Sequence, residues 1–138
     1  MKSKIAVIGL GYVGLPLAYE FSKHFDVIAY DHNSERVKEL KKGYDRTNEI
    51  KFNKNEKFKN INLTNDYFLI KNSDFIIITV PTPVKKNKDP DLSYLISASK
   101  VAGKCIKKSS IVVYESTVYP GCIEEICLPI LKKISKLR

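Results

Sequence analysis

Short apolar runs that end at glycine or at polar residues alternate along this chain with stretches in which apolar side chains recur every three or four positions. Lys4 to Ile8 (KIAVI), stopping at Gly9, predicts a buried parallel strand. From about Tyr12 to His24 the apolar positions are Val13, Leu17, Ala18 and Phe21, a helical spacing. Val27 to Tyr30 reads as a second strand. Asn33 or Ser34 can cap the next helix, with Val37 and Leu40 facing inward and Gly43 as its stop. Tyr44 to Lys59 is polar, lysine-rich and weakly periodic, an excursion before a short third strand near Ile61 to Leu63. Phe75 to Val80 (FIIITV) is the strongest strand signal. A helix from about Leu92 to Ile106, a strand Ile111 to Tyr114 and a helix from about Gly121 to Lys136 complete the pattern.

This alternation predicts an α/β fold: a Rossmann-type, doubly wound parallel sheet of about five strands with helices on both faces. Five is one fewer than the six of a full dinucleotide fold, so residues 1–138 are expected to be one domain cut from a larger protein. The 43% hydrophobic and 28% charged composition is ordinary for a globular domain and excludes a disordered chain. No apolar run approaches the ~18–20 residues of a bilayer span. Only four apolar residues separate Lys4 from Gly9, too few for a secretion signal. A cytoplasmic protein with no membrane partner is the expectation.

Charge adds little. Twenty-four basic against fifteen acidic residues leave +9, but the lysines are scattered as pairs such as Lys41-Lys42 and Lys107-Lys108. There is no basic stripe interleaved with aromatics, so no nucleic-acid partner is expected. Cys105, Cys122 and Cys127 form no CxxC pair and show no metal-ligand spacing. Cys122 and Cys127, five apart on a predicted helix, are expected on different faces, as small core residues without a role.

The sharpest chemistry is Gly9-Leu10-Gly11-Tyr12-Val13-Gly14, placed directly after a predicted strand and opening a predicted helix. Gly9 permits the tight turn, Gly11 lets the backbone approach a pyrophosphate, and Gly14 allows the helix to pack close to the strand. The N–H groups of Tyr12 and Val13 would then face the anion at the positive end of the helix. Twenty residues after Gly11 comes Asp31, whose carboxylate can accept both adenosine ribose hydroxyls and would repel a 2′-phosphate. NAD rather than NADP is the expected cofactor. Arg36 either covers the adenine or reaches the ribose, or it is a surface residue pairing with Glu39 or Glu35.

Two more strand ends carry unusual residues. Val80-Pro81-Thr82-Pro83 holds Thr82 extended between prolines, a rigid hydroxyl over the crevice where such sheets bind ligands. In Glu115-Ser116-Thr117-Val118-Tyr119-Pro120-Gly121 a strand gives way to a helix, and Ser116 either serves the ligand or caps that helix.

Together GLGYVGLPLA, the aspartate followed by Arg36, VPTPV and ESTVYPG resemble the UDP-glucose/GDP-mannose dehydrogenase family, in its amino-terminal NAD-binding portion. The resemblance runs in order over nearly the whole chain. Gly43-Tyr44-Asp45-Arg46-Thr47-Asn48-Glu49-Ile50 looks more like the branch acting on UDP-N-acetylhexosamines. It implies that Tyr12 and Val13 meet the pyrophosphate, Asp31 the ribose, and Thr82 and Thr117 the nicotinamide end, with Ser116 also among the cofactor-binding residues. The threonine matching Thr117 is further implied to hold a water near the reacting carbon; no role is implied for Glu115.

The family oxidises the C6 alcohol of a nucleotide sugar to a carboxylate with two NAD in succession, through covalent capture by a cysteine. The resemblance places that cysteine, its assisting lysine and aspartate, and the UDP-sugar site outside this chain, so the chain alone is expected to bind NAD without turnover. It further implies a homo-oligomeric full-length enzyme serving polysaccharide synthesis. The competing reading is a regulatory NAD-sensing Rossmann module of a transport protein, which has no reason to carry VPTPV or ESTVYPG. The 3-hydroxyacid dehydrogenases share the glycine loop but match those two motifs poorly.

Overall fold

Every strand run predicted from the apolar pattern pairs in one parallel sheet. The computed structural model describes residues 2–51 and 60–137. Its strands are β1 (Lys4–Ile8), β2 (Asp26–Tyr30), β3 (Ile61–Thr64), β4 (Phe75–Ile78) and β5 (Ile111–Tyr114). The helices are α1 (Gly14–Ser22), α2 (Ser34–Lys41), α3 (Ser93–Cys105) and α4 (Leu128–Ser135). The sheet order is β3-β2-β1-β4-β5, so strand order reverses between β1 and β4. That reversal opens a crevice at the carboxyl ends of the central strands, the place where such sheets receive ligands.

Side-chain alternation along β1 divides the core. Ala6 and Ile8 join Ile76, Ile78, Leu95, Ala98 and Leu131 on the face covered by α3 and α4. Ile5 and Val7 join Leu15, Ala18, Val37 and Leu40 on the face covered by α1 and α2. Register agrees with this division: Val7 lies opposite Ala29 of β2 and Ile77 of β4. A strand buried on both faces reads as continuous apolar sequence, which is why KIAVI and FIII were visible.

Helix ends follow the predicted chemistry in part. Asn33 is the N-cap of α2, its side-chain oxygen accepting from Glu35 N at 3.0 Å and Arg36 N at 3.2 Å. Gly43 ends that helix with φ +79°. Ser116 does not cap a helix; its hydroxyl donates to the Val80 carbonyl at 2.6 Å. Of the predicted polar excursion, residues 52–59 lie outside the described residues. A 3₁₀ turn, Tyr67–Ile70, was not visible in the sequence; Asp66 caps it by accepting from Phe68 N at 2.9 Å.

The predicted separation of Cys122 and Cys127 is corrected by the structure. Residues Ile123–Cys127 form a π-helical segment leading into α4, and Leu128 N donates to Ile123 O, five residues back. Widening the turn to five residues stacks positions i and i+5. Cys122 and Cys127 are both fully buried and belong to the same core cluster, and burial pushes the Cys127 thiol up. Among the described residues no helix is long and apolar enough to cross a membrane.

The tightest junction is where α1 begins. A Cβ on Gly14 would collide with the Gly9 carbonyl and the Thr79 hydroxyl. Gly14→Ala is therefore expected to lower stability by about 1–3 kcal/mol, the usual cost of overpacking. A urea titration of both proteins measures it, and an unchanged midpoint would contradict the packing described.

Candidate functional site

Gly9 leaves β1 with φ +99°, a left-handed turn that a side chain would strain. Leu10 follows, fully buried, with polar partners on both sides of it. Its N–H donates to Asp31 Oδ2 at 2.9 Å, and its carbonyl accepts from Arg36 Nε at 2.9 Å. Thr79, at the end of β4, donates through Oγ1 to the Gly9 carbonyl at 2.8 Å. Thus fastened, the loop leaves the N–H groups of Tyr12 and Val13 without an acceptor among the described residues. The space beside the Gly11 Cα is empty within 4 Å. Unpartnered donors at a helix start, next to a gap that any side chain at position 11 would enter, make an anion cradle.

Asp31 sits just past β2 with its side chain 14% exposed. Besides Leu10 N, it accepts from Asn33 N through Oδ1 at 2.9 Å. His32 Nδ1 stands 3.5 Å from the same Oδ1. A carboxylate oxygen can accept more than one hydrogen bond, so the group is oriented and still able to accept.

Clefts flank the loop on either side, and Val80 lines both. The first, of 220 Å³, lies beside Gly9, Tyr30 and His32, under the start of α3. The second, of 420 Å³, runs from Gly11 and Tyr12 to Thr82, Ser116 and Thr117. The β4 and β5 ends in this second cleft are cross-braced: Thr82 Oγ1 donates to the Thr117 carbonyl at 2.6 Å, as Ser116 does to Val80. Both hydroxyl protons are thereby committed, and toward a ligand these oxygens only accept. Thr117's own hydroxyl has no partner among the described residues and stays free to donate.

Arg36 is not a surface residue pairing with Glu35 or Glu39. Lys38 takes Glu35 and Arg46 takes Glu39, while Arg36 is 5% exposed and its Nη2 donates to Asp45 Oδ1 at 2.8 Å. Its Nη1 is buried without a partner among the described residues. Asp45, also 5% exposed, accepts in addition from Thr47 N, Thr47 Oγ1, Glu49 N and Ile50 N. Burial works against its ionisation; the hydrogen bonds from Thr47, Arg36 and the Ile50 N–H outweigh it and lower its pKa to about 2. Asp45 therefore shapes the turn that carries Thr47 into the second cleft. Sequence reasoning assigned no role to Thr79, Asp45 or Thr47. Only Thr79, a hydroxyl ending an otherwise apolar strand, offered a local signal.

No group of three or more metal-binding side chains occurs among the described residues. The strand order, the switch-point crevice and the anion cradle define a dinucleotide-binding domain of the doubly wound class. The sequence profile described as "UDP-glucose/GDP-mannose dehydrogenase family, NAD binding domain" matches residues 3–138. The chain belongs to that family, as its NAD-binding domain. It is 54% identical over 137 residues to protein CapL of Staphylococcus aureus, covering 99% of this chain and 32% of the relative. It is 47% identical over 135 residues to a UDP-N-acetyl-D-glucosamine 6-dehydrogenase of Pseudomonas aeruginosa, covering 98% and 32%. The solved UDP-D-ManNAc dehydrogenase of Pyrococcus horikoshii superimposes with a TM-score of 0.83 at 32% identity, covering 98% of this chain and 33% of that one. The chain thus spans about a third of the length of these relatives. A match that runs through VPTPV and ESTVYPG lends nothing to the transport-module reading.

The Asp45 carboxyl, lowered from 3.8 to about 2, adds stability that is present above pH ~4 and is lost as pH falls through about 2. Asp45→Asn should flatten the fall in stability across that window. It should also cost about 3–5 kcal/mol at neutral pH, because the Arg36 charge stays buried without its partner. Chemical denaturation at a series of pH values reads both effects.

Proposed function

We propose that this chain holds NAD within a nucleotide-sugar 6-dehydrogenase that oxidises the C6 alcohol of a UDP-N-acetylhexosamine to the carboxylate. Two relatives support the sugar: the Pseudomonas aeruginosa protein that is 47% identical and a Salmonella typhi protein that is 50% identical are both UDP-N-acetyl-D-glucosamine 6-dehydrogenases. The observation that carries the cofactor reading is the pairing of a free-donor cradle at Tyr12 and Val13 with the oriented carboxylate of Asp31, both fixed through Leu10.

In this reading the adenosine lies in the cleft beside Gly9 and His32, where Asp31 accepts from the ribose hydroxyls. Gly9, Gly11 and Gly14 let the backbone close on the diphosphate, which takes the Tyr12 and Val13 N–H groups. Arg36 acts on the cofactor by holding the Leu10 carbonyl, which sets the direction of the loop. The nicotinamide lies in the larger cleft against Thr82, Ser116 and Thr117. Bound NAD supplies the hydride acceptor. Thr117, with its hydroxyl free, holds a water at the edge of that cleft.

No cysteine here is placed to capture an aldehyde. All three are buried, Cys105 donates to the Tyr67 carbonyl at 3.2 Å, and burial pushes the Cys105 and Cys127 thiols up, away from the reactive thiolate. We therefore assign the nucleophile to the part of the relatives that this chain does not span, and expect this chain alone to bind NAD without oxidising a sugar. Three free cysteines suit a reducing cytoplasm, where we place the protein, as a homo-oligomer in full length.

Calorimetric titration tests the cofactor site. NAD should bind better than NADP, and Asp31→Ala should weaken NAD by at least about tenfold, the loss of charge-assisted hydrogen bonds to the ribose. Gly11→Val should abolish binding while leaving the melting temperature near that of the parent, because the space it enters is empty. Undiminished NAD affinity in the Asp31 variant would overturn the ribose assignment.

A further inference from the structure

The larger cleft contains a charge that neither the cradle nor the cross-brace uses. Glu115 follows β5 directly, its N–H donating to the Ile78 carbonyl at 2.9 Å, which fixes the backbone at the cleft wall. Its side chain is exposed and makes no hydrogen bond or ion pair among the described residues. Among the described residues lining this cleft it is the only one with a charged side chain; the others are glycine, proline, valine, tyrosine, serine and threonine. An unneutralised carboxylate beside apolar and hydroxyl groups brings a negative charge to the β5 end of the cleft, whose other end holds the free donors of Tyr12 and Val13.

We propose that Glu115 makes the site discriminate between the oxidised and reduced forms of its cofactor, favouring the cationic nicotinamide of NAD over the neutral dihydronicotinamide of NADH. The inference rests on the assignment of the nicotinamide to this cleft. The two forms share the adenosine and the diphosphate and differ at the ring by one positive charge. The cradle and Asp31 act on the shared part and bind both forms alike. Only a charge near the ring separates them, and Glu115 is the residue that provides it.

The consequence suits a reaction that consumes two NAD per sugar. Each reduced cofactor has to leave before the next oxidised one enters. A carboxylate at the ring attracts the incoming form and loses that attraction once hydride arrives, so the reduced product is released from a site that no longer favours it. The Glu115 side chain is exposed and makes no hydrogen bond or ion pair among the described residues, so its substitution is not expected to disturb the fold.

The test is titration of the parent protein and Glu115→Gln with NAD, NADH and ADP-ribose, which has no nicotinamide. The variant should bind NAD about two- to fivefold more weakly, the size of a solvent-screened contact between opposite charges. Affinities for NADH and ADP-ribose should be unchanged. Glu115→Lys should lower NAD affinity further, again sparing NADH, and added salt should shrink the parent's preference for NAD. If Glu115→Gln changes NAD and NADH by the same factor, or neither, the proposal is overturned while the cofactor site stands. If the parent binds neither NAD nor ADP-ribose, the cofactor assignment fails and the proposal with it.

Discussion

The two peptide groups flanking Leu10 are gripped from opposite sides, and the site depends on that grip. One N–H is taken by Asp31 and one carbonyl by Arg36, each at 2.9 Å. A glycine-rich loop without such anchors would sample many conformations, since glycine loses more backbone entropy on ordering than any other residue. Here the bend at Gly9 is held by Thr79 beneath it, by Asp31 on the β2 side and by Arg36 from α2. The free donors of Tyr12 and Val13 are aimed in advance of any ligand, so less entropy is lost when one arrives.

Arg36 illustrates how the grip is maintained. Burying a guanidinium is costly, and an ion pair with Asp45 only offsets that cost. One of its nitrogens even lacks a partner among the described residues. A hydrophobic residue would pack there at no electrostatic cost, but it would not hold the Leu10 carbonyl. The same Asp45 gathers four further donors from the turn that follows α2 and so sets where Thr47 stands. A single buried pair thus joins the glycine loop to the wall of the neighbouring cleft. It is better understood as geometry than as stability.

The sheet was legible because its signals are local. KIAVI and FIII are buried on both faces and need no partner to be recognised, and GLGYVG declares itself by lying between a strand and a helix. Asp31 stands where its spacing from the glycines put it, just past a strand, but its hold on Leu10 N, 21 positions away, was not visible. What the sequence hid depends on contacts across the chain. Arg36 carries neighbours Glu35 and Glu39 that look like natural partners, yet each is claimed by another cation and Asp45 lies nine residues on. Cys122 and Cys127 were assigned to different faces on a regular helical turn; a π-helical segment, with no marker in its residues, brought them together. Thr79 passed as one more strand residue because its acceptor, Gly9, is seventy positions away.

The cross-brace between the β4 and β5 ends sets how hydroxyl groups in the larger cleft divide their work. Thr82 and Ser116 spend their protons on backbone carbonyls, which ties VPTPV to ESTVYPG and fixes the cleft's width. Their oxygens can then meet only a donor, such as a carboxamide N–H. Thr117, whose carbonyl receives the Thr82 proton, keeps its hydroxyl unengaged and is the member of the trio able to give a hydrogen bond as well as take one. Two oriented acceptors and one adaptable hydroxyl therefore line the same cleft. That asymmetry lets the cleft offer fixed acceptors to a donor group while one hydroxyl adapts to what lies beside it.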